Sequence, residues 1–262
     1  MSEEPEADDA TRRFTVRAQA YSQGRPGYPA ALGELLHRRG LLRGGVADIG
    51  AGTGLFTRLL LEHGAAVDAV EPNDAMRAAL EQGVVSLRLR VHAGTSEATG
   101  LPSASVGLVT AAQAAHWFDP QSSVREFRRV LTPGGWLLLV WNDWRGSSES
   151  DFTAAYSQIV ARFTQNFPEQ LSRLPDAELT VYFPAGHERL SFANPLALSR
   201  ERLQALAESV SYLPQPGTPE HGDLTLALDT AFAAHVQGEA VTLDYRTHAY
   251  LGQPGKPLSA LP

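Results

Sequence analysis

The chain has 262 residues, 43% of them hydrophobic and 19% charged, with a formal net charge of −7. That length suits one substantial α/β domain with a helical cap, and the absence of cysteine excludes disulfides and thiolate chemistry. No apolar run approaches the ~18–20 residues of a membrane span, and the acidic N-terminus lacks a signal peptide's order, so a cytoplasmic protein without membrane contact is expected.

Glu3, Glu4, Glu6, Asp8 and Asp9 carry five of the negative charges. Residues 1–12 therefore read as a disordered, solvent-exposed tail. Residues 11–22 and 30–39 read as amphipathic helices, broken by Arg25-Pro-Gly-Tyr-Pro29, whose prolines enforce extended backbone. Val46–Ile49 reads as a short apolar strand ending in the turn Gly50-Ala-Gly-Thr-Gly54. A helix follows from Leu55 to His63, with Leu55, Phe56, Leu59 and Leu60 on one face and Gly64 as its cap. Val67-Asp-Ala-Val-Glu71 is a second strand that closes on an acid. Asn73 and Asp74 cap a helix through about Gln82, and Leu87 to His92 reads as a third strand. Alternating β and α signals from 45 to 142 predict a parallel sheet with right-handed crossovers.

Glycines at 50, 52 and 54 let a ligand approach the backbone and leave helix N–H groups pointing at it. Glu71, at the tip of the second strand, is placed to accept hydrogen bonds from both hydroxyls of a ribose. The unit reads as a nucleoside-binding βαβ. A dinucleotide fingerprint needs G-x-G-x-x-G, and Leu55 stands where its third glycine belongs. The only lysine is Lys256, so there is no Gly-Lys-Ser/Thr for phosphates. Pyrophosphate binding is disfavoured.

Asp48-x-Gly-x-Gly-x-Gly54 with Glu71 resembles motif I and the ribose acid of class I S-adenosylmethionine (SAM)-dependent methyltransferases. Gly94-Thr-Ser-Glu-Ala-Thr-Gly-Leu-Pro102 resembles the adenine loop of that family, and Val106 to Ala112 its fourth strand. Arg129-Val-Leu-Thr-Pro-Gly-Gly-Trp-Leu-Leu-Leu139 resembles the helix, turn and fifth strand that follow. Phe14 to Pro29 and Gln113-Ala-Ala-His-Trp-Phe-Asp119 are similar to small-molecule methyltransferases of the trans-aconitate-methyltransferase-like kind. The resemblance implies a Rossmann-like class I fold, with a mostly parallel seven-stranded sheet, helices on both faces and an inserted helical lid. Residues 13–262 would be one domain, its core at about 40–145 and its helical cap and last strands within 146–262.

The resemblance also implies SAM as cofactor and S-adenosylhomocysteine as product. Cofactor contacts fall to Asp48, Gly50, Ala51, Gly52, Gly54, Glu71, Pro72, Met76, Thr95, Ser96, Glu97 and Gln113. Tyr21 and Arg25 are candidates for the methionine carboxylate or an anionic acceptor; Arg25 as a residue that merely fixes the chain at Pro26 is the rival. Two departures stand out. Gly107 sits where the family often has Asp, and Thr95-Ser96 replace an acid that commonly meets the adenine amino group.

His116 is the candidate general base, with a structural histidine as the alternative. Trp117 and Phe118 either line the acceptor site or anchor their loop. Trp141 and Asn142, ending the fifth strand, resemble substrate-binding residues of the family, and a core tryptophan is the rival for Trp141. Arg125, Arg128 and Arg129 fall on the polar side of a helix carrying Val124, Phe127 and Val130, which reads as a solvated face rather than a nucleic-acid patch. His187, His221, His235 and His248 show no metal-ligand spacing.

Beyond Asn142, Asp151 to Phe167 and 222–237 read as helices, and Leu203, Leu206, Ala207 and Val210 mark another. His187 to Leu198 and Val241 to Leu251 each read as one strand. The expected activity is methyl transfer to an O or N atom of a small molecule, as in secondary metabolism, by a monomer or homodimer. The rivals are a SAM-binding enzyme of another reaction, such as a cyclisation, and a silent binding subunit.

Overall fold

A computed structural model describes residues 25–144, 150–164, 174–210 and 212–254. The acidic tail, the helix expected over 11–22, and Tyr21 lie outside the described residues.

The strands are β1 (Val46–Ile49), β2 (Val67–Val70), β3 (Leu89–His92), β4 (Val106–Ala112), β5 (Leu131–Asp143), β6 (Glu188–Ala193), β7 (Leu196–Leu198), β8 (Val241–Leu243) and β9 (Arg246–Gly252). The α-helices are α1 (Ala30–Arg38), α2 (Leu55–Glu62), α3 (Asp74–Gly83), α4 (Pro120–Val130), α5 (Asp151–Phe163), α6 (Asp176–Tyr182), α7 (Arg200–Glu208) and α8 (Pro219–His235). Seven strands make one sheet in the order β3-β2-β1-β4-β5-β9-β6. β1 pairs parallel with β2 and β4, β2 with β3, and β4 with β5. The mostly parallel sheet expected from the sequence is present.

Both faces of that sheet are covered, which is why β1 and β2 are buried along their whole length. Alternate residues go to opposite sides. Ala47 and Ile49 join Phe127 and Val130 of α4 and Leu179 of α6 in one cluster. Val46 and Val67 join Leu32 and Leu36 of α1, Phe56 and Leu60 of α2 and Leu80 of α3 in another.

The described residues divide into two compact units. The sheet unit takes 27–141, 174–192 and 247–254. The second takes 25–26, 142–144, 150–164, 193–210 and 212–246. It has its own core, in which Phe152, Tyr156 and Val160 of α5 meet Leu203 and Leu206 of α7, Leu224, Leu228 and Phe232 of α8, and Leu243 of β8.

Several boundaries differ from the sequence reading. Residues 187–198 form two strands, and β7 pairs antiparallel with β8 in a separate small sheet. Residues 241–251 likewise break at Asp244-Tyr245. There the Asp244 N–H donates to Thr153 Oγ1 at 3.0 Å, and that hydroxyl donates back to Asp244 Oδ2 at 3.0 Å. This exchange with α5 takes Asp244 out of the strand ladder. α8 begins at Pro219, which tolerates the first helical position because its missing N–H needs no partner there. α6 has no counterpart among the predicted elements. Gly107 explains one departure from the family pattern. Its N–H donates to Gly44 O at 2.9 Å, and a Cβ on it would lie 3.2 Å from Gly44 Cα. The two glycines pass backbone against backbone.

Candidate functional site

β1 ends in the turn at 50–54, where the Gly50 and Ala51 N–H groups donate to Val70 O at 2.9 and 3.2 Å. That ties the turn to the end of β2. The three glycines have different tasks. A Cβ at Gly50 would lie 2.6 Å from Ala114 Cβ, and one at Gly54 3.0 Å from Val84. At Gly52, with φ +57°, a Cβ would meet nothing within 4 Å. Gly52 thus presents bare backbone to open space, which suits a ligand's close approach.

Glu71 faces this turn from the end of β2. Its buried carboxylate accepts from the Gly52 N–H through Oε2 at 2.9 Å and from the Asn73 N–H through Oε1 at 3.0 Å. Burial pushes its pKa up, against the pull of those two N–H donors and of Arg77. Each carboxylate oxygen has two lone pairs, so one on each remains for a ribose hydroxyl. Arg77 was not anticipated. Its Nη1 donates to Glu71 O at 2.7 Å and Pro72 O at 2.8 Å, and its Nη2 pairs with Asp74. The signal available was the Asp74–Arg77 spacing in the first turn of α3. Asn73 caps that helix by accepting from the Met76 N–H at 3.0 Å. Met76 itself is buried, whereas Pro72 is exposed.

Asp48 lies beneath the turn, buried, and accepts from Thr57 Oγ1 at 2.6 Å and Thr110 Oγ1 at 2.8 Å. Burial raises its pKa to about 6 despite both hydroxyls, with Glu71's charge adding to the rise. A folded-state pKa above that of the unfolded chain contributes stability below ~4 that is lost as pH rises through about 6. Asp48→Asn keeps the shape and cannot ionise. In urea melts from pH 4 to 7 the variant should gain on the wild type by on the order of 2–3 kcal/mol. Parallel curves would show that Asp48 carries no such cost.

The loop at 94–103 is fastened to α4. A Cβ at Gly94 would lie 2.8 Å from Thr99 O, so the loop folds tightly on itself. Thr95 Oγ1 accepts from the Ala98 N–H at 3.2 Å, and the buried Ser96 Oγ donates to Glu97 Oε1 at 2.6 Å. Burial raises the Glu97 carboxyl, but hydrogen bonds from Ser96, Thr95 and the backbone outweigh it and hold the group below its ordinary range. Glu126 of α4 accepts from the Thr99 N–H and Oγ1 at 2.9 and 2.6 Å and from the Arg129 fork at 2.7 Å. Arg129 above all holds that carboxyl down to about 2. Arg129 also donates to Leu101 O at 2.7 Å. The solvated arginine face expected here holds for Arg125 and Arg129, both exposed, although Arg129 also grips this loop and the half-buried Arg128 donates to Pro254 O at 2.7 Å.

Past β4, Gln113 takes φ +55°, a left-handed conformation costly for a side chain, while its N–H donates to Val140 O at 2.8 Å. His116 and Trp117 follow in a short 3-10 turn, Ala115–Trp117, with ring centroids 5.0 Å apart. His116 is half-buried, and Trp117 is 49% exposed. Phe118 packs edge-on to Phe127 at 6.2 Å. Trp141 is fully buried and meets Tyr250 edge-on at 5.8 Å, so its ring is part of the core. Arg25 and Asn142 belong to the second unit. Arg25 Nη2 donates there to Ser209 O at 3.2 Å, while Asn142 Nδ2 donates to Pro26 O at 3.4 Å and its Oδ1 accepts from Asn194 at 3.3 Å. Among the described residues no cluster of three His, Asp or Glu could hold a metal ion.

Residues 47–139 match a family model described as a methyltransferase domain. An uncharacterized methyltransferase of Mycobacterium tuberculosis is 44% identical over 138 residues, 51% of this chain and 54% of the relative. The chain thus spans about half the length of those mycobacterial relatives. An uncharacterized methyltransferase-like protein of Schizosaccharomyces pombe is 31% identical over 206 residues, 77% of this chain and 78% of the relative. A solved structure named as a type II methyltransferase of Anaeromyxobacter dehalogenans shares the fold, with TM-score 0.66 and 23% identity over 88% of this chain and 98% of that one. The domain match falls on the glycine turn and the strands that carry it, and the fission-yeast likeness runs through most of both chains: the protein belongs to the class I SAM-dependent methyltransferase family.

Proposed function

We propose that this chain transfers the methyl group of SAM to an oxygen or nitrogen of a small-molecule acceptor in the cytoplasm, releasing S-adenosylhomocysteine. The observation that carries the reading is the pair Gly52 and Glu71: bare backbone against open space, beside a buried carboxylate with lone pairs to spare. The turn at 50–54, Glu71, Ser96, Glu97 and Gln113 would hold the cofactor. When bound, SAM supplies a methyl group already activated on a sulfonium. The protein's task is then to hold and align. Positioning alone can supply roughly 7–11 kcal/mol, and the hydrogen-bonded turns around Glu71, Glu97 and Glu126 give the site that rigidity. His116 is the residue to take a proton from a hydroxyl or amine acceptor, while a carboxylate acceptor needs no base. The trans-aconitate-methyltransferase-like character of Gln113–Asp119 favours a small polar metabolite as acceptor.

Calorimetry should show saturable binding of S-adenosylhomocysteine and much weaker binding of NAD. Labelled SAM with a panel of polar metabolites should then release S-adenosylhomocysteine only with the right acceptor. NAD binding as tight as S-adenosylhomocysteine would overturn the nucleoside assignment.

A further inference from the structure

The ties around Glu97 reach in two directions, and cofactor binding uses only one of them. Its Oε1 accepts from Ser96 Oγ in its own loop at 2.6 Å. The same oxygen accepts from the Asp119 N–H and from Ser123 Oγ, both at 3.2 Å. Asp119 is the N-cap of α4, its own side chain engaged by the Ser122 N–H at 2.9 Å. Ser123 is fully buried in the first turn of that helix. Immediately before Asp119 stand His116, Trp117 and Phe118. One carboxylate oxygen thus joins the 94–99 loop to the start of the helix that the His116 turn runs into.

That turn has little slack. The Trp117 N–H donates to Ala114 O at 2.9 Å and the Phe118 N–H to Ala115 O at 3.3 Å, while the Phe118 ring packs on Phe127 of the same helix. The Glu97 carboxylate is thus one hydrogen bond away from Asp119, the residue that follows the turn. We infer that Glu97 is a positioning residue: by holding the N-terminus of α4 it sets the His116–Trp117 turn, so that a ligand seated on the Ser96–Glu97 loop is felt at Trp117. This rests on the cofactor reading above and goes beyond it, because it links the donor side to the side where the acceptor proton is handled.

The test reads Trp117 emission, since Trp117 is half exposed whereas Trp141 and Trp144 are buried. Comparison with Trp117→Phe assigns the signal among the chain's four tryptophans. Saturating S-adenosylhomocysteine should change Trp117 emission in the wild type. Glu97→Ala should still bind this ligand, its dissociation constant raised about ten-fold for one lost hydrogen bond, but lose the Trp117 response at saturation. Glu97→Gln, whose amide oxygen can accept from the Asp119 N–H and Ser123, should restore most of it. Ser123→Ala cuts one tie to α4 and leaves Glu97 in its loop. It should shrink the response with little change in affinity, and it decides the matter if Glu97→Ala does not fold. A wild type that binds the ligand with no Trp117 response, or a full response in both Glu97→Ala and Ser123→Ala, overturns the inference and leaves the cofactor reading standing. A folded wild type that does not bind S-adenosylhomocysteine overturns both.

Discussion

Glu71→Ala weakens S-adenosylhomocysteine binding on the order of 10–150-fold, the equivalent of losing charge-assisted hydrogen bonds worth roughly 1.5–3 kcal/mol. The structure adds a second loss. Without the carboxylate, the Gly52 N–H and the buried Asn73 N–H each lose a hydrogen bond, and a buried donor left so costs about 1–3 kcal/mol, a penalty that falls on Asn73 rather than on the more open Gly52. The variant should therefore melt earlier as well as bind more weakly. Glu71→Gln, which looks mild because an amide still accepts, has to aim its NH2 at one of those two N–H donors. It should restore only part of both losses. Calorimetry on folded variants, with urea melts alongside, separates the two effects. If folded Glu71→Ala binds like wild type while its melting falls, Glu71 only ties the turn to α3 and does not meet a ribose.

His116→Ala should cost about 10²–10⁴ in turnover while leaving cofactor affinity nearly intact. His116 is half-buried in the turn past β4, beside the exposed Trp117. With a hydroxyl or amine acceptor the loss should fall mainly on turnover. With a carboxylate acceptor the change should fall mainly on KM. Single-turnover methyl transfer at saturating cofactor and acceptor is the deciding measurement. A rate within a few-fold of wild type would leave His116 as a residue that shapes the turn and moves no proton.

The βαβ unit around the glycine turn was legible because its signals are local. Glycine spacing, an acid at a strand end and the Asn73 cap all lie within 46–76 and fold through one another. What escaped depends on partners far along the chain. Val241 to Leu251 alternates without interruption, and the break at Asp244 comes from Thr153, about ninety residues earlier. Glu126 and Arg129 stand three apart on a helix, a spacing that ordinarily marks a solvated pair. Thr99 and Leu101, on another loop, turn that pair into a clasp. Trp141 was readable as a strand residue, but only Tyr250 and the surrounding cluster decide that its ring faces the core.

The crossing of Gly44 and Gly107 bears on how this sequence can drift. A side chain at 107 would press on the backbone at 44, and one at 44 would lie 3.1 Å from Gly107 Cα. Each contact is tight, so a side chain at either position, such as the Asp common in the family at 107, requires the facing backbone to give by a few tenths of an ångström. The two positions should therefore vary more readily together, along with the turn between α1 and β1, than one at a time.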